Sequence, residues 1–125
     1  MQCAIGAGIL IAVIYCPIAS AQTAGEMLQA CEMLQRGMHV EGDTVYIPPS
    51  AKLNQCWGFI EAVQQYAMLA DQDGKTRLNA CPSEDSTTVD VLHIFVDYLN
   101  KHPEKHDLRA AAAAYNAMAD AFPCK

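Results

Sequence analysis

Residues 87–124 read "TTVDVLHIFVDYLNKHPEKHDLRAAAAAYNAMADAFPC", and this run decides the fold. Thr87 and Asp90 have capping-box spacing, in which each side chain satisfies an amide at the start of a helix. Val91, Leu92, Phe95, Tyr98 and Leu99 then recur at steps of three and four, an apolar stripe of helical period. Pro103 interrupts the pattern. Asp107 is expected to cap the next helix, whose inner face reads as Leu108, Ala111, Ala112, Tyr115, Met118, Ala119 and Phe122. The alanines favour helix and permit close approach of a neighbour. Pro123 stops that helix and leaves Cys124 as the next-to-last residue. Chain ends usually fray, so a cysteine in this position reads as a tether.

Working upstream, the same period appears twice more. Thr23 and Glu26 form another capping-box pair, and Met27, Leu28, Cys31 and Leu34 make a stripe that ends near Gly37. Ser50 stands where a second helix begins. Leu53, Cys56, Ile60, Val63, Ala67 and Ala70 form its inner stripe, with Trp57 beside it. Gly58 costs such a helix about 1 kcal/mol against alanine, which suggests close contact with another helix. Residues 38–49, "MHVEGDTVYIPP", lack a helical period and read as a loop with a Gly42-Asp43 turn. Val45-Tyr46-Ile47 has strand character, but no obvious partner strand. "DQDGKTRLN" (71–79) is polar and reads as a second loop. The expectation is an all-α protein, a small bundle of four main helices with no second domain and no internal repeat.

The first 21 residues are different. From Cys3 to Ala21 no side chain is charged. Pro17 breaks the run, and Ala19-Ser20-Ala21 has the small-residue form of a cleavage site. Residues 1–21 read as a secretory signal peptide and 22–125 as the mature domain. The segment before the apolar run carries no Lys or Arg. An uncleaved anchor is the other reading, since about 20 apolar residues span a bilayer; the proline and the Ala-Ser-Ala step favour cleavage. Tyr15 before Cys16 argues against a lipoprotein.

Of the six cysteines, Cys3 and Cys16 lie in the leader, leaving Cys31, Cys56, Cys81 and Cys124. An even number in a small exported domain reads as a disulfide framework with three possible connectivities. Short connections make successive helices antiparallel. That places Cys81, at the end of the second helix, near Cys124 at the end of the fourth. Cys31 and Cys56 then pair across the inner stripes of the first two helices.

The net charge is −6, and every charged residue lies in the mature part. Nucleic acid demands a basic face, so the balance argues against it and suits a soluble protein, or one whose partner is basic. Motifs for chemistry are few. His102 and His106 flank Glu104, but Pro103 sits between them and the pattern is not H-E-x-x-H. His93 lies on a helix flank. Cys56 in "QCWGF" is a thiol nucleophile only if it is free. No calcium loop, phosphate loop or haem motif is present. Catalytic, cofactor and metal residues are therefore assigned to none.

The C-terminal half also resembles a known family. Cys81-Pro82, the capped start Thr87 to Asp90, Tyr98-Leu99 with His102-Pro103-Glu104, the alanine-rich helix and Ala121-Phe122-Pro123-Cys124 resemble the Rap/Tai family. Cys56, Gly58, Phe59 and Ile60 are similar to its upstream segment, as is "LQAC" in the first helix. Glu61 departs from the family's usual small residue. The resemblance implies a periplasmic immunity protein that binds and occludes a peptidoglycan amidase effector of type VI secretion, with no turnover of its own. It also implies homodimers in some members. Contact surfaces tend to lie on loops, which here means the two loops flanking Cys81: Asp71, Asp73, Lys75 and Arg77, then Ser83, Glu84 and Asp85. The alternatives are a small periplasmic helical binding protein, or a stress chaperone, without a toxin partner.

Overall fold

The computed structural model describes residues 22–69, 74–76 and 78–125. The expected signal peptide, 1–21, lies outside the described residues. In chain order the elements are α1 (Ala24–Gly37), β1 (His39–Glu41), β2 (Thr44–Tyr46), α2 (Ala51–Ala67), α3 (Thr88–Lys101) and α4 (Ala110–Ala121), with a 3-10 turn at Pro103–Lys105. Among the described residues no helix is long and apolar enough to cross a membrane.

Both capping boxes are formed. In α1, Glu26 N–H donates to Thr23 Oγ1 (3.2 Å) and Thr23 N–H donates to the Glu26 carboxylate (2.9 Å). In α3, Thr87 and Asp90 make the same reciprocal pair, and Thr87 Oγ1 also donates to Asp90 (2.7 Å). The expected stripes of α1 and α3 are buried, with Tyr98 half-buried at the edge. In α2, Leu53, Cys56, Ile60 and Ala67 are buried and Val63 is half-buried, while Ala70 lies outside the described residues. Ser50 occupies the cap of α2, but its side chain makes no capping hydrogen bond. Among the described residues the core is wholly apolar, and it centres on Phe95, Leu34, Ile60, Leu92, Leu99 and Met118. Phe59 packs edge-on against Phe95, with ring centroids 5.5 Å apart.

Three readings are corrected. Residues 38–49 are not all loop, and the protein is not strictly all-α. β1 and β2 form an antiparallel hairpin with His39 opposite Tyr46 and Glu41 opposite Thr44. Gly42 has a φ of +59°, the left-handed backbone that a two-residue hairpin turn requires. Five of the six strand residues are exposed. Backbone pairing rather than burial holds them, so no apolar alternation marks them in the sequence. Second, α4 is rotated from the expected face. Arg109, not Asp107, stands at its cap, and Ala110, Ala113, Ala114, Ala117 and Met118 are buried while Ala111, Ala112 and Tyr115 are exposed. The rotation is set outside the helix: Ala110 N–H donates to Gln22 O (3.0 Å), and Thr23 pairs with Arg109. Third, Gly58 is exposed, and a Cβ there would meet nothing within 4 Å. It does not mark a close helix contact.

Side-chain contacts give the helix directions around α3. The C-terminal half of α2 meets the start of α3 at Gln64 and Thr88, and Phe59, further back in α2, meets Phe95. Those two helices are therefore antiparallel. α4 returns along α3 and ends beside the segment that precedes it. The start of α1 is fastened to the α3–α4 connection, with Ala24 N–H donating to Leu108 O (2.7 Å) and Gly25 N–H to His106 O (2.9 Å).

Two disulfides tie this frame. Cys31 and Cys56 join α1 to α2 inside the core, with Cα atoms 5.3 Å apart. Cys81 and Cys124 join the α2–α3 connection to the chain end, with Cα atoms 5.1 Å apart.

Candidate functional site

The α2–α3 connection carries the polar loops expected to make contacts, and the structure pins its second half firmly. Gln64 spans the start of α3: its Nε2 donates to Ser86 O (2.6 Å) and its Oε1 accepts from Thr88 Oγ1 (2.5 Å). Ala80 is fully buried and pairs with Pro123 in an isolated antiparallel bridge. Cys81 N–H donates to Phe122 O (2.8 Å), beside the Cys81–Cys124 bond. Asn79 takes a φ of +48°, a left-handed backbone that asparagine tolerates better than most residues.

Between these anchors the chain turns outward. Ser86 N–H donates to Ser83 O (3.0 Å), and the two hydroxyls lie 3.1 Å apart. The resulting turn leaves Ser83, Glu84 and Asp85 exposed. Lys75 is exposed in the other loop, next to Thr76, whose hydroxyl lies 3.8 Å from Cys124 Sγ. Asp71, Asp73 and Arg77 lie outside the described residues. The bridge thus brings Thr76 and the chain end together and stands just before the 83–86 turn. At the start of α3, hydrogen bonds from the Thr87 N–H and then its hydroxyl hold the Asp90 carboxyl below its ordinary range.

Two apolar grooves were not singled out by the sequence reading. One, of about 500 Å³, lies between the hairpin and the start of α3 and is lined by Val40, Val45, Trp57 and Val89 with Asp43 and Thr88. The other, of about 360 Å³, lies between α2 and α4 and is lined by Phe59, Val63, Tyr66, Leu78, Ala114 and Tyr115. Tyr66, Leu69 and Tyr115 are large apolar side chains left exposed. The sequence signal for the first groove was Trp57, which stands off the α2 stripe. The second needed the true rotation of α4.

The residues weighed for chemistry are all engaged structurally. Cys56 is bonded to Cys31. His102 Nδ1 lies 3.1 Å from Glu104, and His106 Nε2 lies 2.9 Å from the Leu99 carbonyl, so the two rings serve different partners. The Glu104 carboxyl is held low by its own backbone amide first and by His102 second. His93 Nδ1 lies 2.6 Å from Gln35 Nε2. Among the described residues no group of three His, Cys, Asp or Glu is placed to hold a metal ion.

The described residues thus form a disulfide-fastened helical frame that displays a pinned polar turn and apolar grooves, surfaces suited to contact with another protein. The family model described as Rap1a immunity proteins matches residues 23–124, and the chain belongs to that family. Its members are immunity proteins, a generally non-enzymatic class whose partner is a secreted effector. No curated protein and no solved structure matches the chain.

Proposed function

We propose that this immunity protein is exported to the periplasm after cleavage following Ala21, and that it occludes a secreted peptidoglycan amidase delivered by type VI secretion. The observation that carries the reading is the 83–86 turn of the α2–α3 connection: exposed and polar at Ser83, Glu84 and Asp85, and fastened on either side at Ala80, Cys81 and Ser86. A contact loop held in its bound shape loses less conformational freedom on docking. Glu84 and Asp85 steer a basic effector toward it, in keeping with the net charge of −6. Inhibition is steric, since the turn fills the cleft of the effector and no covalent step is needed.

The test is direct. The mature chain, 22–125, is titrated into amidases secreted by the same bacterium, and peptidoglycan hydrolysis is followed. One amidase is expected to be stoichiometrically inhibited. The E84K/D85K variant is expected to bind it more slowly and with altered salt dependence. Inhibition of none of them would refute the amidase reading and leave the family assignment in place. N-terminal sequencing of the exported protein is expected to begin at Gln22.

The exposed Tyr66 and Tyr115, which line the α2–α4 groove, also support a homodimer of the kind the resemblance implies. Light scattering of the mature chain is expected to give twice the monomer mass, and a monomer at all concentrations would refute it.

A further inference from the structure

The two disulfides occupy opposite environments. Cys31 and Cys56 are both 0% exposed and lie within the core. Cys81 and Cys124 are both exposed. Thiol–disulfide exchange needs a thiolate to reach a sulfur along the S–S axis, so access decides which bridge can react. We propose that Cys81–Cys124 is a thiol–disulfide exchange site, opened by an external dithiol that attacks Cys81 while Cys31–Cys56 stays closed.

Thr76 sets the direction of attack. A disulfide sulfur carries no proton, so at 3.8 Å the Thr76 hydroxyl is the donor and Cys124 Sγ the acceptor. A hydrogen bond that favours the charged form lowers the pKa of a thiol, and a lower-pKa thiol leaves faster. The attacking thiolate forms a bond to Cys81 Sγ, and the electron pair of the old S–S bond departs on Cys124 Sγ. That thiolate takes up a proton. The second thiol of the dithiol then attacks the mixed disulfide and releases Cys81 as a thiol. Two electrons and two protons pass to the protein, and the dithiol becomes a disulfide.

The core does not depend on this bond for its contents. Ala80 is buried, Leu78 and Phe122 pack against the core, and α1 and α2 remain joined by their own bridge. What opening removes is the covalent clamp on the segment from Leu78 to Ser86. On the reading that this segment contacts the effector, reduction lowers affinity by loosening a loop that docks in one shape; the chemistry itself does not rest on that reading.

The experiment uses the oxidised mature chain. Dithiothreitol is added, samples are quenched in acid and alkylated, and peptides are weighed. Cys81 and Cys124 are expected to be alkylated on the order of a hundredfold faster than Cys31 and Cys56, because the buried pair reacts only through openings of the core. Helical circular dichroism is expected to persist through that first phase. A single exposure to reduced glutathione is expected to leave the adduct on Cys81 and the free thiol on Cys124. T76V is expected to slow opening by roughly threefold through loss of the donor. Equal rates for the two bridges, loss of helix in the first phase, or an adduct mainly on Cys124 would each overturn the proposal. The C81S/C124S variant is expected to keep its helix and its Cys31–Cys56 bond; should it fail to fold, the kinetics of the wild-type chain decide. An effector that binds neither the oxidised nor the reduced form would remove the functional reading alone.

Discussion

Removing either bridge should destabilise the protein, and the two losses should differ in a direction opposite to chain entropy. The bridges close intervals of 25 and 43 residues. The loop-entropy relation gives about 3.5 kcal/mol for the first and about 4 kcal/mol for the second. On that ground alone, C81S/C124S would be the worse variant. Burial reverses the order. Cys31 and Cys56 are fully buried in an apolar core, and among the described residues no polar side chain is buried. C31S/C56S places two hydroxyls there. Each loses its water, and back-bonding to a helix carbonyl offsets only part of that loss. Taking about 1 kcal/mol for each hydroxyl, C31S/C56S should cost about 5–6 kcal/mol and C81S/C124S about 4 kcal/mol or less. A domain of this size has roughly 5–15 kcal/mol in total, so the core variant falls close to the unfolding threshold. Equilibrium urea denaturation of residues 22–125 at pH 7, followed by circular dichroism, measures both. A larger loss for C81S/C124S would refute the reasoning, since chain entropy would then outweigh the environment of the sulfurs.

Other perturbations follow from the same structure. G58A should raise stability by about 0.5–1 kcal/mol, because alanine is the better helix former and the added methyl meets open space; an unchanged or lower melting temperature would count against the exposed placement of Gly58. F95A should cost about 3–5 kcal/mol, as this side chain is 1% exposed and meets Phe59 edge-on, and the urea midpoint reads the loss. T87A should cost about 1 kcal/mol through loss of the α3 cap. The folded pKa of Asp90 is depressed by the Thr87 hydrogen bonds, so its stabilisation is present above the unfolded value of about 3.9 and is lost as pH falls through the folded one. D90N should therefore flatten the acid limb of stability against pH, by an amount reduced by the solvent around this exposed residue; an acid limb identical to that of the wild type would contradict the assignment.

The parts legible in the sequence were those in which burial and backbone chemistry left a residue-level mark. Leu28, Leu34, Phe95 and Leu99 declared inner faces because large apolar side chains at helical period have one stable placement. Thr23 with Glu26 and Thr87 with Asp90 declared helix starts because a capping box needs those side chains at that spacing. The hairpin left only part of such a mark, the Gly42-Asp43 turn and the strand character of Val45-Tyr46-Ile47; its partner strand was hidden, as Val40 and Tyr46 are exposed and backbone pairing fixes the register. The rotation of α4 was equally hidden. Five consecutive alanines, Ala110 to Ala114, present the same methyl on every side, so contacts from Gln22 and Thr23 select the buried ones. The exposed turn was legible as polarity at Ser83, Glu84 and Asp85. Its fastening by Gln64 and the Ala80–Pro123 pairing was not, because those partners lie far apart in the chain.

The same division bears on the inhibitory role proposed for this frame. Cys31–Cys56 and the Phe95 cluster hold the helices through contacts that reach no solvent. The Cys81–Cys124 bond holds the connection through contacts at the surface. Substitutions at Lys75, Glu84 or Asp85 change only exposed side chains, and surface substitutions of this kind usually move stability by less than about 0.5 kcal/mol. A protein that must match a particular effector needs a surface that can change without unfolding the domain. On the proposed reading the buried bridge, the costlier of the two to remove, lies away from the contact turn, so the exposed side chains of that turn can vary without touching the core.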